Sequence, residues 1–142
     1  MIQDAIHSME IYTVQFPKTL LAIKLSELEY KASADKWSKK EILGHLIDSA
    51  TNNLGRFIVA QYEDNPIIQY DQVAWCKGNY YQSSDINYML VLWKGLNQQL
   101  IHVWKNLPIE ALSRTANGQT LTFLATDYVA HFEHHFEQIK TR

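Results

Sequence analysis

The clearest helix start in this sequence lies in residues 37–50, which read WSKKEILGHLIDSA. Ser38 and Glu41 have the spacing of a capping box, in which each side chain accepts a hydrogen bond from the backbone N–H of the other residue. Trp37 and Ile42 are placed to form a hydrophobic staple across the same turn. The apolar residues that follow recur with helical spacing and predict a helix to about residue 61. Its core-facing positions are Ile42, Leu46, Ala50, Leu54, Phe57 and Ile58.

Three further segments have helical periodicity. They cover residues 2–28, where Pro17 is expected to kink or divide the helix, residues 85–107, and the stretch from about residue 121 to the C-terminus. The connection over residues 63–83 is long enough to cross a bundle end, and residues 71–76 within it have the pattern of a helical turn. No strand pattern is evident. The sequence therefore predicts an all-α four-helix bundle with a long crossover between the second and third helices, formed as one domain over residues 1–142.

The composition excludes several classes of protein. A net charge of −2 argues against a general affinity for nucleic acid, which needs a surplus of Lys and Arg. No stretch approaches 18 uninterrupted apolar residues, and the N-terminal residues lack the pattern of a signal peptide, so we expect no membrane association. The single cysteine, Cys76, excludes an internal disulfide framework and favours a cytoplasmic location.

Two of the six histidines lie one turn apart in the last helical segment. His131 and His135 fall at the edge of its apolar arc, whereas His134 points toward the polar side. The i, i+4 spacing brings two Cβ atoms to about 5–6 Å, close enough for both imidazoles to share one metal ion. The same spacing also occurs by chance or through ordinary packing.

A polar stripe runs along the second helix beside its apolar face. Glu41, His45, Asp48, Asn52 and Arg56 are hydrogen-bonding and ligating groups rather than the Lys, Glu and Gln of a typical exposed face. Antiparallel packing of the second and fourth helices would bring the imidazole of His45 close to those of His131 and His135. Three imidazoles with one position left open form the catalytic rather than the structural zinc pattern. A capped surface helix with an incidental histidine explains the same residues, and both interpretations remain open at this point.

Several motifs, taken in order, resemble one known family. Residues 37–49 are similar to the signature helix of the DinB-like superfamily, in particular its YfiT-like branch of "putative metal-dependent hydrolases". The motif His131-x-x-x-His135-x-x-Gln138-Ile139 resembles the closing helix of that family. Residues 70–75, which read YDQVAW, and Leu121-Thr122 resemble its middle segment and the entry to its fourth helix. The resemblance covers about residues 20–139.

The resemblance implies a four-helix bundle that holds a divalent metal ion, zinc or nickel, with three histidines. Carried over residue by residue, these ligands are His45, His131 and His135. Members of the family often form homodimers, and characterised relatives include thiol transferases and isomerases that use low-molecular-weight thiols such as bacillithiol or mycothiol. We therefore expect a small-molecule substrate, with a low-molecular-weight thiol as a candidate, and a homodimer.

Two functions from different classes follow. The first is a metal-dependent enzyme, a thiol S-transferase in preference to a hydrolase because of the resemblance. The second is a non-enzymatic, metal-stabilised dimeric bundle that binds a small ligand. For the enzyme, the candidate catalytic residues are Asp48, which could also orient His45, and Glu41. The candidate substrate-binding residues are Asn52, Gln138 and Arg56, the last for an anionic group.

Overall fold

Four long helices form most of the computed structural model, which describes residues 1–141. These helices are α1 (Ile2–Leu21), α3 (Lys39–Val59), α5 (Ile86–Asn106) and α6 (Leu121–Thr141). Two shorter helices, α2 (Leu25–Glu29) and α4 (Gln72–Gly78), and 3₁₀ turns at Tyr81–Ser83 and Ile109–Ala111 lie in the connections. The predicted all-α four-helix bundle is confirmed. Over the described residues, no helix combines the length and the apolar character that a membrane span requires.

The capping box predicted at the start of the second long helix is present. The Ser38 hydroxyl accepts from the Glu41 N–H at 3.0 Å, and Glu41 Oε1 accepts from the Ser38 N–H at 3.1 Å. Four of the six predicted core positions of α3 are buried and Leu54 is half-buried. The prediction for Ile58 is wrong, since its side chain is 42% exposed near the end of the helix. Helix α3 instead buries several polar residues, including His45 and Asp48.

The predicted first helix is wrong at its C-terminal end. Pro17 lies inside α1 and does not divide it, and the break comes later, between residues 22 and 24. Lys24 adopts an extended conformation there, and α2 follows as a separate element of five residues. The apolar stripe of the sequence does not mark this break because Ile23, within the break, and Leu28, after it, still pack inward.

The packing of the long helices explains how distant segments meet. Helix α1 packs on α5 and α6, and α3 packs on the same two helices, so α1 and α3 occupy opposite corners of the bundle. A cluster of aromatic rings from α1, α5 and α6 fills the centre, with ring centroids 4.6 to 5.5 Å apart. It consists of Phe16, Trp93, Phe132 and Phe136. The same packing places α3 directly against α6.

The connection between α3 and α5 is tied back to the start of α3 by a buried lysine. The Lys40 ammonium, on a side chain only 3% exposed, donates to Glu29 Oε2 at 2.7 Å and to the Gln82 carbonyl at 3.1 Å. The Gln82 side chain donates to the Glu29 carbonyl at 2.8 Å and accepts from the Ser38 hydroxyl. One cluster of polar groups thus joins α2, α3 and the 3₁₀ turn that precedes α5.

A short β-hairpin, for which the sequence contains no strand pattern, precedes α6. Strands β1 (Thr115–Ala116) and β2 (Gln119–Thr120) pair in antiparallel fashion around the Asn117-Gly118 turn. Both turn residues have positive φ, 51° and 77°, as the two-residue Asn-Gly turn requires. Strands of two residues are too short to produce an alternating pattern, so only the turn could be anticipated.

Candidate metal centre

Three histidines from two helices meet at one level of the bundle. His45 Nε2 lies 3.1 Å from His131 Nε2, and one ring nitrogen from each of His45, His131 and His135 lies within 4.8 Å of the others. His45 comes from the N-terminal half of α3 and the other two from the C-terminal half of α6. Antiparallel packing of α3 and α6 predicts this proximity of the three imidazoles. His134 is exposed and is outside the group.

The donor set suits one divalent metal ion. Ligand nitrogens around a tetrahedral ion with bonds of about 2.0–2.1 Å lie roughly 3.3 Å apart. The 3.1 Å between the His45 and His131 nitrogens is close to this separation, and His135 lies within 4.8 Å of both. No fourth His, Cys, Asp or Glu joins the three among residues 1–141. We call these three residues the histidine cluster. An ion held by the cluster would therefore keep a coordination position for a non-protein ligand.

Burial keeps the imidazoles in the neutral form that binds metal. Desolvation, together with the neighbouring imidazoles of His131 and His135, lowers the pKa of His45 to about 4. Desolvation also lowers the pKa of His131 to about 4, against a partial opposing effect of Asp127. The pKa of His135 is lowered by burial as well. Near neutral pH the cluster therefore presents free nitrogen lone pairs.

Two of the cluster residues are held by specific neighbours. Gln138 Oε1 lies 2.8 Å from His135 Nδ1 and accepts its N–H, which leaves Nε2 of His135 as the free nitrogen. The Trp37 ring lies against the His45 ring, with centroids 4.8 Å apart. The sequence pattern predicts a hydrophobic staple for Trp37 but not this contact, since nothing in the pattern links Trp37 to a residue two turns later.

Replacing Gln138 with alanine is expected to weaken metal binding about 10- to 100-fold, because the His135 ring loses the acceptor that orients it. The measurement is a zinc titration against a competing chelator dye. Glu137→Ala is the matched control, since Glu137 is exposed and, among residues 1–141, forms an ion pair with Lys140 alone, at 3.2 Å. Equal zinc affinities for the two variants would contradict a positioning role for Gln138.

Asp48 belongs to a polar group on the neighbouring face of α3. Its Oδ1 accepts from the Tyr81 hydroxyl at 2.7 Å and from the Asn79 amide at 3.0 Å, and burial raises its pKa to about 6. His45 Nδ1 and Asp48 Oδ2 are both buried without a hydrogen-bond partner, so the structure contains no direct bond between these two residues. The expected orienting contact from Asp48 to His45 is not formed.

The other candidates from the polar stripe form hydrogen bonds or ion pairs with groups outside the histidine cluster. The Glu41 carboxylate completes the capping box and pairs with Lys31. The Asn52 amide donates to the Asp48 carbonyl at 2.9 Å, back into its own helix. Arg56 donates to the Ile68 carbonyl in the crossover. Direct roles for these residues in catalysis or substrate binding stay predictions.

Two recesses border the histidine cluster. One, of about 470 Å³, is lined by His135 and Gln138 of α6 together with Trp37 and Val73. The other, of about 150 Å³, lies on the His131 side, and we call it the polar recess. It is lined by Ser49, Asn53, Arg56, Tyr70, Gln72, Leu124, Asp127, Tyr128 and His131. Ser49, Tyr70 and Asp127 were not among the predicted site residues, because only the packing of α3, α6 and the crossover brings them together.

The metal-free protein is expected to lose stability as the pH falls from 6.5 to 4. In this range the unfolded chain binds protons at His45 and His131, whose pKa values in the folded protein are about 4, so proton binding favours unfolding. The stability that these residues contribute is complete above pH 6.5 and disappears as the pH falls through 4. Urea unfolding of chelator-treated protein across this range measures the effect.

Asp48 acts in the opposite direction in the same experiment. Its raised pKa means that its contribution is present below pH 3.8 and is lost as the pH rises through about 6. The Asp48→Asn variant removes this opposing effect and should show the steeper loss of stability toward acid pH. A stability that rises steadily as wild type is acidified would contradict the description of the histidines as buried and neutral.

A bundle that brings three neutral histidines of two helices to one point, His45 buried and the other two half-buried, defines a metal-binding protein. Comparisons with known proteins agree with this class. No family model matches the chain. A protein of Halalkalibacterium halodurans named "putative metal-dependent hydrolase" is 27% identical over 139 residues, which cover 92% of this chain and 81% of that protein. A Bacillus cereus protein of the same name is 26% identical over 145 residues, covering 98% and 83%.

The fold matches that of a solved structure, YfiT from Bacillus subtilis. The TM-score is 0.89 at 23% sequence identity, over 98% of this chain and 83% of YfiT. That structure is described as a probable metal-dependent hydrolase with an unusual four-helix bundle topology. The likeness to these relatives along nearly the whole chain, together with the shared fold, confirms the resemblance to the YfiT-like branch of the DinB-like superfamily.

Proposed function

We propose that this chain is a metal-dependent enzyme that acts on a small molecule, with His45, His131 and His135 as the ligands of one divalent ion. The observation that carries the proposal is the convergence of the three ring nitrogens within 4.8 Å, with no fourth protein ligand among the described residues. A purely structural zinc site usually has four protein ligands. Imidazole ligands suit both zinc and nickel, and we propose these two as the candidate metals.

A divalent ion held by the cluster would supply a Lewis acid that lowers the pKa of a thiol or a water molecule in the open position. The residues of the chain have separate tasks. Gln138 orients His135, and the Trp37 ring covers one side of His45. The two recesses beside the cluster give a small molecule access to it.

Thiol S-transfer is the reaction that we propose first. Hydrolysis is favoured by a general base near the attacked bond. The two carboxylates predicted for that role are engaged elsewhere, Glu41 in the capping box and Asp48 with Tyr81 and Asn79. A thiol whose pKa is lowered below the ambient pH would release its proton to solvent and would need no such base. In the transfer, the thiol sulfur forms a bond to an electrophilic carbon while the leaving group departs with the electron pair of the broken bond.

Hydrolysis is the second candidate, and two observations favour it. The relatives described above are named as metal-dependent hydrolases. Asp127 lies on the wall of the polar recess, one turn before His131, where a carboxylate could accept a proton from water. If hydrolysis is the reaction, Asp127 rather than Asp48 or Glu41 is the base that the geometry favours.

The test compares zinc-loaded, nickel-loaded and chelator-treated protein in two assays. One follows the transfer of bacillithiol, mycothiol or cysteine to monobromobimane, and the other follows the hydrolysis of p-nitrophenyl acetate. The proposal predicts catalysis that needs the metal and is lost in His131→Ala. If metal removal lowers only the melting temperature, the non-enzymatic, metal-stabilised bundle is the better account. Sedimentation of the same samples tests the proposed homodimer.

A further inference from the structure

Arg56 is a half-buried cation without a carboxylate partner. It lies near the C-terminal end of α3, and among residues 1–141 no Asp or Glu comes within ion-pair distance of its guanidinium. One edge of the guanidinium is occupied, since Nε and Nη2 both donate to the Ile68 carbonyl, at 3.0 and 2.8 Å. A backbone carbonyl solvates the charge of an arginine without neutralising it.

The other edge of the guanidinium is largely free. Nη1 makes only a long contact of 3.4 Å to Asn53 Oδ1, and one N–H of Nη2 remains beyond the bond to Ile68. These two nitrogens form the end of the planar fork, which pairs with both oxygens of a carboxylate. The Ile68 carbonyl therefore orients one edge of the Arg56 guanidinium, and the other edge is available to bind a ligand.

The small hairpin before α6 fixes the carbonyl that orients Arg56. The side-chain oxygen of Asn117 accepts from the Ile68 N–H at 2.7 Å, and its amide donates to the Ile68 carbonyl at 2.9 Å. The Asn117 N–H also donates to the Pro66 carbonyl at 2.9 Å. The hairpin thus fixes the crossover at Ile68, and the Ile68 carbonyl fixes the orientation of the Arg56 guanidinium. The guanidinium is therefore oriented before a ligand binds.

Arg56 shares the polar recess with His131 of the histidine cluster and with Asp127. Asp127 is exposed and has no ion pair within the described part of the chain. The recess, of about 150 Å³, has roughly the volume of five water molecules. It therefore offers a cation and an anion to a ligand of a few heavy atoms beside the cluster. The carboxylate of Asp127 disfavours a doubly charged anion such as a phosphate monoester.

We propose that the polar recess binds a small zwitterionic substrate, whose carboxylate pairs with the free edge of Arg56 and whose ammonium group faces Asp127. The inference rests on the proposed function, since the reacting group of the substrate would lie at the histidine cluster, and it names the substrate class for that site. Amino acids and their close derivatives have this combination of charges.

The test uses the full chain loaded with Co²⁺, whose absorption changes when a thiolate binds the ion. The probes are cysteine, 3-mercaptopropionate, cysteamine and 2-mercaptoethanol. For each probe the dissociation constant of a variant is divided by that of wild type, because the four thiols differ in thiol pKa. Arg56→Gln should weaken the two carboxylate probes about 10-fold or more and leave the other two unchanged. Asp127→Asn should weaken cysteine and cysteamine a few-fold, and it should spare the other two.

A second comparison on wild type avoids any loss of structure when Arg56 is replaced. Methyl 3-mercaptopropionate has the same thiol chain as 3-mercaptopropionate without the charge. After each dissociation constant is corrected for the solution pKa of that thiol, the ester should bind the cobalt protein about 10-fold more weakly than the acid. If the acid and the ester bind equally, the inference is overturned and the proposed function stands. If the protein takes up neither cobalt nor zinc nor nickel, the proposed function fails and the inference fails with it.

Discussion

Replacing Gly44 with alanine is expected to destabilise the protein by about 2–3 kcal/mol, although alanine favours a helix over glycine by about 1 kcal/mol. A Cβ at this position of α3 would overlap the Tyr81 ring, which is buried and packs directly on the glycine. The ring cannot move freely, because its hydroxyl donates to Asp48 at 2.7 Å. The added methyl group must therefore displace the ring from α3 or break this bond.

Gly55→Ala is the matched control in the same helix. Apart from the adjacent residues and the backbone of its own helix, no described atom lies within 4 Å of where the Gly55 Cβ would be. This variant should therefore gain stability by up to about 1 kcal/mol. Urea unfolding of both variants and wild type measures the two effects. Opposite signs for the two glycines support the close packing of Tyr81 on α3. A gain of stability in both variants would contradict it.

Replacing Lys40 with methionine is expected to cost about 2–3 kcal/mol of folding free energy. Methionine fills much of the space of the lysine stem, so the loss comes mainly from the ammonium group. Its removal leaves the Gln82 carbonyl and the Glu29 carboxylate without the donor they share. The cost stays below that of a fully buried pair because the Glu29 side chain is 39% exposed and can regain water.

Lys39→Met makes the same chemical change one residue earlier. Lys39 is only half-buried and has no hydrogen-bond or ion-pair partner among the contacts of the described residues, so its replacement should stay within about 0.5 kcal/mol of wild type. Denaturant unfolding again provides the free energies. Equal effects of the two substitutions would contradict the role of Lys40 in joining α2, α3 and the 3₁₀ turn.

Local sequence signals predicted much of the fold. The capping box at Ser38 and the aspartate N-caps at Asp71 and Asp85 mark helix starts because each cap acts within a few residues of itself. The first helix shows the limit of such signals. A stripe of apolar residues continues through the break after Leu21, so periodicity alone does not separate α1 from α2.

The histidine cluster could be predicted from the sequence because it depends on only two features, the spacing of residues within one helix and the relative direction of two helices. The spacing of His131 and His135 places both on one face of a helix, and one assumption about helix direction adds His45. The surroundings of the cluster were not accessible in this way. The contact of Arg56 with Ile68 and the contacts of Ile68 with Asn117 join segments up to 49 residues apart, and only the packed bundle determines them.

Metal content tests the central claim most directly. Untagged protein is equilibrated with zinc or nickel, freed of excess metal and analysed for bound metal, for wild type, His45→Ala, His131→Ala, His135→Ala and His134→Ala. The account predicts about one divalent ion per chain in wild type and in His134→Ala, because His134 is outside the cluster, and its loss in the other three folded variants. Five folded proteins that all remain free of metal, or a wild type that holds no more than His131→Ala, would contradict it.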